Sequence, residues 1–181
     1  MEIKSNIGLD MPNLLLIAGN GRNVGKTYFA CKIIAQLSAT TKVCGIKISS
    51  HFHSFCEKDI LFQNEHFILL EEKQNSTKDS SLMLKAGAKH VYFIMTKQEH
   101  LHEAFQKIQS HLPEYAIVCE SGGLHEIVTP GLFFFVHQSG KELVKKHHLN
   151  YSPIIVYNNG KEFDFDINHL NFINNKFTRK Q

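Results

Sequence analysis

The chain has 181 residues, with 20 Lys or Arg against 17 Asp or Glu and a formal net charge of +3. That length predicts a single domain over residues 1–181 with a sizeable core, and charges scattered this evenly offer no basic stripe to track a phosphate backbone, which argues against nucleic acid as a partner. Apolar runs such as 14–18 and 131–136 fall far short of the roughly 20 residues needed to span a bilayer, and four cysteines without a C-x-x-C pair, in a chain that does not start with a basic-then-apolar leader, predict a cytoplasmic protein in a reducing compartment.

After a polar lead of about a dozen residues, the run NLLLIA (13–18) reads as a buried strand bounded by Pro12 and Gly19. A glycine-rich loop follows, and from Lys26 the apolar residues Ala30, Ile33, Ile34 and Leu37 recur at helical spacing until a Ser/Thr cluster at 38–41. Residues 42–48 form a second strand. Residues 62–71 read as partly extended, within an inserted hairpin at about 52–76. Residues 79–86 predict a short helix ending at Gly87, and 91–95 a further buried strand.

Residues 98–110 carry Leu101, Ala104, Phe105 and Ile108 at helical spacing, and 115–119 is again a strand. Two more strands fall at 132–136 and 153–157, with a helix expected at about 140–147 between them and a last amphipathic helix over 167–173. Buried strands alternating with helices predict an α/β fold of three layers, a mostly parallel sheet with helices on both faces. Ligands of such sheets gather at the carboxyl ends of the strands.

The loop GNGRNVGKT (19–27) is close to the phosphate-binding pattern G-x-x-x-x-G-K-[ST], one residue longer when counted from Gly19, with Asn20 where the pattern asks for its first glycine. Glycines let backbone amides turn toward phosphates, and a helix N-terminus adds partial positive charge. The expected nucleotide contacts are Gly21, Arg22, Asn23, Val24, Gly25, Lys26, Thr27 and Tyr28. Lys26 would reach the β- and γ-phosphates and Thr27 the Mg²⁺.

This spacing, with the valine before G-K-T, resembles dethiobiotin synthetase and its relative, molybdopterin-guanine dinucleotide biosynthesis protein B. VCGIK (43–47) is similar to a second strand ending in lysine in both families. KDS (78–80) followed by AGA (86–88) resembles a signature of the molybdopterin family, and IVCESGG (117–123) resembles the strand and turn of dethiobiotin synthetase. The resemblance covers most of residues 13–136. Residues 81–84 are mostly apolar where the molybdopterin family carries basic residues, and the turn after Glu120 differs from that family's E-G-F.

The resemblance implies a P-loop NTPase fold that binds Mg²⁺ with GTP or ATP, and a homodimer. The activity implied is slow hydrolysis that serves a partner enzyme of molybdenum cofactor assembly, or an ATP-dependent ligase reaction. Glu120, directly after an apolar strand, is the first carboxylate for a metal. Asp79 is the second by resemblance, the alternative being an N-cap. The metal set is therefore Thr27, Asp79 and Glu120, and the catalytic set Lys26, Lys47 and Glu120, with Lys47 stabilising charge on a transferring group.

Twelve histidines are unusual, but most are isolated on segments that read as surface. His51, His53 and Cys56 form an H-x-H-x-x-C cluster whose spacing matches no closed metal site, although a metal-delivery GTPase would use it. There is no N-K-x-D motif to choose between ATP and GTP; TKQE (96–99) is a loose echo. Asn158 and Asn159 read as part of a hairpin turn at Asn159-Gly160 in preference to base contacts.

Overall fold

The structure is a computed structural model that describes residues 8–52, 54–73 and 78–180. Strand β1 runs over Leu9–Gly19 and feeds, through the glycine-rich loop, helix α1 over Lys26–Ser38. Then come β2 (Val43–Ser49), the antiparallel pair β3 (Ile60–Gln63) and β4 (Phe67–Glu71), helix α2 (Asp79–Lys85) and β5 (His90–Thr96). Helix α3 (Leu101–Gln109) leads to β6 (Ala116–Glu120), β7 (Val128–Gln138) and β8 (Ile154–Asn158).

Eight of these strands form one sheet in the order β3-β4-β5-β2-β6-β1-β7-β8. From β5 to β8 every pairing is parallel, and β4 and β3 add an antiparallel edge. The period of two in β1 explains the layering. Leu14, Leu16 and Ala18 point to the face covered by Ala104, Phe105 and Ile108 of α3, while Leu15 and Ile17 meet Phe29, Ile33 and Ile34 of α1 and Met83 of α2. The fold is thus α/β with helices on both faces. No helix among the described residues is long and apolar enough to cross a membrane.

Four expectations need correction. β1 begins at Leu9 rather than after Pro12, because the β1–β7 register shifts between Met11 and Leu15, an irregularity that tolerates a residue with no N–H to donate. No helix forms over 140–147: Gly140 takes φ 76°, the Asn20 side chain captures the amides of Val144 and Lys145, and a 3-10 turn follows at Lys146–Tyr151.

The helix expected over 167–173 is instead a short 3-10 turn at Ile167–His169 and an antiparallel hairpin, β9 (Leu170–Ile173) and β10 (Lys176–Arg179). Its loop residues Asn174 and Asn175 have φ 51° and 55°, the two left-handed residues of a tight hairpin turn. Leu170 and Phe177 then seal the α1 face of the core.

Finally, the histidines are not isolated. His125 and His148 are both buried, with ring centroids 4.4 Å apart, and His125 also stacks on Phe133 and meets Tyr151 edge-on. His148 Nε2 lies 3.0 Å from the Gly122 carbonyl, in the turn that follows Glu120.

Burial pushes His125 down to about 3, helped by His148, His147 and Lys145; burial likewise pushes His148 down to about 4 against the opposing bond to Gly122. As pH falls below about 6.5 the unfolded chain takes up protons at both rings while the folded chain does not, so stability falls with pH until about 4 for His148 and about 3 for His125. The thermal midpoint should drop between pH 7 and pH 5, with each histidine contributing about 2 kcal/mol. Calorimetric melting of the double variant His125→Phe/His148→Gln should show a shallower drop; a slope equal to wild type would assign the acid sensitivity to other groups.

Candidate functional site

The loop leaves β1 at the middle of the sheet, between β6 and β7, and turns back into α1. Gly25 caps the helix at φ 98°, and Asn23 also sits at positive φ, 57°. Left-handed residues alternating with right-handed ones make the concave backbone that binds anions. Gly19 is required by a close approach: a Cβ there would lie 2.9 Å from Cγ and Cδ of Lys26 and from the Val136 carbonyl. The Lys26 stem therefore passes over Gly19, and its Nζ donates to the Gly21 carbonyl at 2.6 Å. Burial lowers the Lys26 pKa, while Glu120 opposes the shift.

Beside the loop, Lys47 at the end of β2 and Glu120 at the end of β6 are register partners, so both side chains leave the sheet on one face. Lys47 Nζ lies 2.5 Å from Glu120 Oε1 and 2.9 Å from Asp79 Oδ2. The other Glu120 oxygen accepts from the Thr27 hydroxyl at 2.7 Å. Burial alone would depress Lys47, but Glu120 and Asp79 outweigh it and hold its pKa above the ordinary lysine value. Glu120 is 2 % exposed and Asp79 about half exposed. Asp79 is the first residue of α2 and not its N-cap, which is Lys78.

These groups line a cleft of about 1260 Å³. Gly21, Arg22, Asn23, Gly25, Lys26, Thr27 and Tyr28 line it together with Lys47, Asp79 and Glu120. Val24 differs from its expected place. Its side chain is buried with Phe29 and Ile33, and its carbonyl accepts from Asn158 Nδ2 at 2.9 Å, so it serves the loop through its backbone.

Asn158 is thereby a brace of the loop, and Asn159-Gly160 makes the expected turn, with Asn158 bridging to Phe163 in antiparallel fashion. Lys97 and Gln98 also line the cleft, and Gln98 Nε2 donates to Glu126 at 2.9 Å. Arg22 contacts the ring of His51, which also faces the cleft, whereas Cys56 faces a second, small cavity with Glu71. His53 lies outside the described residues.

Two site residues escape the sequence reading. Asn20 is buried; its Oδ1 accepts from the amides of Val144 at 2.8 Å and Lys145 at 3.0 Å, and its Nδ2 donates to the Glu142 carbonyl at 2.6 Å. This clamp brings Lys145 to the cleft wall, close enough to Lys26 to depress its pKa further. The signal was the substitution of asparagine for glycine in the motif, which adds a side chain able to bond three backbone groups.

No protein-family model, curated protein or solved structure matches this chain.

Removing one member of a buried ion pair strands the other charge, at a cost of about 3–5 kcal/mol. Lys47→Met should therefore lower stability in urea by about 3 kcal/mol, Asp79→Asn by under about 1 kcal/mol because its carboxylate is half exposed, and Lys47→Met/Glu120→Gln by less than Lys47→Met alone. Equal losses for Lys47→Met and Asp79→Asn would show that burial of Glu120 does not decide the energy.

Proposed function

We propose that this protein is a P-loop NTPase that binds a nucleoside triphosphate with Mg²⁺ and hydrolyses it slowly, presenting the nucleotide to a partner enzyme of cofactor assembly. The observation that carries this reading is the 2.7 Å bond between the Thr27 hydroxyl and Glu120, next to Lys26 at the N-terminus of α1. Mg²⁺ takes hard oxygen ligands in an octahedron and accepts one or two carboxylates beside waters and phosphate oxygens. Thr27, Glu120 and Asp79 are a donor set of that kind, gathered around one lysine.

Held by Thr27, Asp79 and Glu120, the cation would supply positive charge to the triphosphate. The protein's own groups do the rest. Lys26 exchanges the Gly21 carbonyl for phosphate oxygens, a favourable exchange because a partly buried ammonium gains a charged partner. The left-handed backbone at Asn23 and Gly25 supports phosphate binding through the main chain. Lys145, clamped through Asn20, adds a further cation at the wall. Lys47 balances two carboxylates, and would be the group to face an anionic substrate if Asp79 and Glu120 held a metal ion.

One observation favours a second reading, an ATP-dependent ligase. The cleft exceeds the roughly 300–1,000 Å³ of ordinary small-molecule sites, and Ser54, Lys78 and Lys97 add polar groups to its lining. A second, anionic substrate would have room in the same cleft that Lys47 lines.

Calorimetry with ATP, GTP and non-hydrolysable analogues tests the first reading. Lys26→Ala should lose most triphosphate affinity in Mg²⁺, and Glu120→Gln should lose much of the Mg²⁺ dependence; triphosphate binding unchanged in Lys26→Ala would overturn it. Phosphate release against small carboxylic acids, amines and bicarbonate separates the two readings. Stimulation by any one of them, reduced roughly 10²-fold in Lys47→Ala with binding intact, would replace the presenting protein by the ligase.

A further inference from the structure

The antiparallel edge of the sheet is tied to α3 at three points along one side of the helix. Lys107 Nζ sits 4.3 Å from the centre of the Phe62 ring, which stacks on Phe67. Asn64 Nδ2 donates to Glu103 Oε1 at 3.1 Å, while Asn64 Oδ1 accepts from the amides of His66 and Phe67 and so fixes the β3–β4 turn. The third tie is between imidazoles. His66 of that turn and His100, which precedes α3, lie with ring centroids 4.0 Å apart and planes 15° from parallel.

The first two ties are complete as packing and hydrogen bonding. The third gathers ligand atoms. One nitrogen of each histidine and one oxygen of Glu103 all lie within 4.8 Å of one another, the one such trio of His, Cys, Asp or Glu groups among the described residues. Two imidazoles and a carboxylate are the donor set of an open zinc site, three protein ligands leaving a position for water. Tetrahedral zinc holds its ligands at roughly 2.0–2.2 Å, which needs them about 3.4 Å apart.

The trio closes to that spacing by side-chain rotations of about an ångström, and its members are partly or fully exposed and so able to move. Asn64 already orients the carboxylate, the task of an outer hydrogen-bond partner in metal sites. His100 and Glu103 are three residues apart, so one helical turn presents both on the same side.

We infer that His66, His100 and Glu103 form a binding site for a zinc-class divalent cation that clips the β3–β4 turn to the start of α3. The site is separate from the Thr27, Asp79 and Glu120 donors, which offer oxygen only. Its position gives it leverage on the cleft, because Lys97, Gln98 and Leu101, which flank His100, are cleft-wall residues.

The test uses tag-free, chelator-stripped full-length protein titrated with Zn²⁺ by calorimetry, and with Co²⁺ followed by visible absorption. Wild type should bind one Zn²⁺ at this site with micromolar or tighter affinity. Glu103→Gln should weaken it about tenfold, and His66→Ala/His100→Ala should weaken it at least a hundredfold with loss of the Co²⁺ bands. Hydrogen exchange at the β3–β4 turn should slow on adding Zn²⁺ in wild type and not in the double variant. Failure of wild type to bind Zn²⁺, or equal affinity in wild type and the double variant, would overturn the site. If the double variant unfolds, Glu103→Gln decides: affinity equal to wild type counts against the trio.

Discussion

A carboxylate held at 2 % exposure at the end of a buried strand is costly to ionise unless a cation and hydrogen-bond donors face it. Glu120 meets that requirement through Lys47, its register partner one strand away, and through the Thr27 hydroxyl. The rest of the site follows from this arrangement. Lys47 must lie on β2, next to β6; Thr27 must lie in the first turn of α1, which sets how the helix leaves the loop; and Asp79 must begin α2 where Lys47 can reach it. A charged network of this kind contributes little net stability relative to apolar packing. What it does is hold three oxygen donors, Thr27, Asp79 and Glu120, around Lys47 and beside Lys26.

A second constraint comes from behind the loop. The amide of Asn20 donates to the Val136 carbonyl, its side chain holds the segment after β7, and Asn158 bonds the Val24 carbonyl from the end of β8. Phe163 packs at a tilt on Phe29 of α1, ring centroids 4.8 Å apart, and would meet any side chain at Gly25. The loop is thus gripped by both strands that follow β1 on one side, while the strand carrying Glu120 supports it on the other. Rigid support of this sort is what allows backbone amides to act as a fixed electrostatic surface.

Much of this was legible in the residues. Continuous apolar runs marked β1, β2, β5 and β6, because strands covered on both faces need no polar side, and the order strand, glycine loop, helix marked the site. Lys26, Thr27, Lys47, Asp79 and Glu120, each singled out from the sequence, line one cleft. What stayed hidden depends on long-range partners. Nothing local in residues 140–147 discloses that their amides go to Asn20. The segment 167–173 has apolar residues at Ile167, Leu170 and Ile173, which suits a helix, and the period of two through Leu170 and Phe172 is too short to compete. The Asn174-Asn175 pair was the better guide, since asparagine tolerates left-handed backbone at both positions of a hairpin turn. The histidine contacts between 66 and 100 and between 125 and 148 likewise depend on tertiary proximity that spacing along the chain does not show.

The brace between Asn158 and Val24 spans 134 residues of chain, and it bears on how the protein is made. During synthesis the glycine loop and α1 emerge early, yet the strands that flank β1 and the turn that grips Gly25 come more than ninety residues later. At roughly 5–20 residues per second the nascent loop waits on the order of ten seconds for those partners. Until then β1 is an apolar strand with both edges open, a surface that invites pairing with other chains. Late arrival of its neighbours thus leaves this strand's edges unprotected for longer than those of a strand that pairs with the next one in sequence.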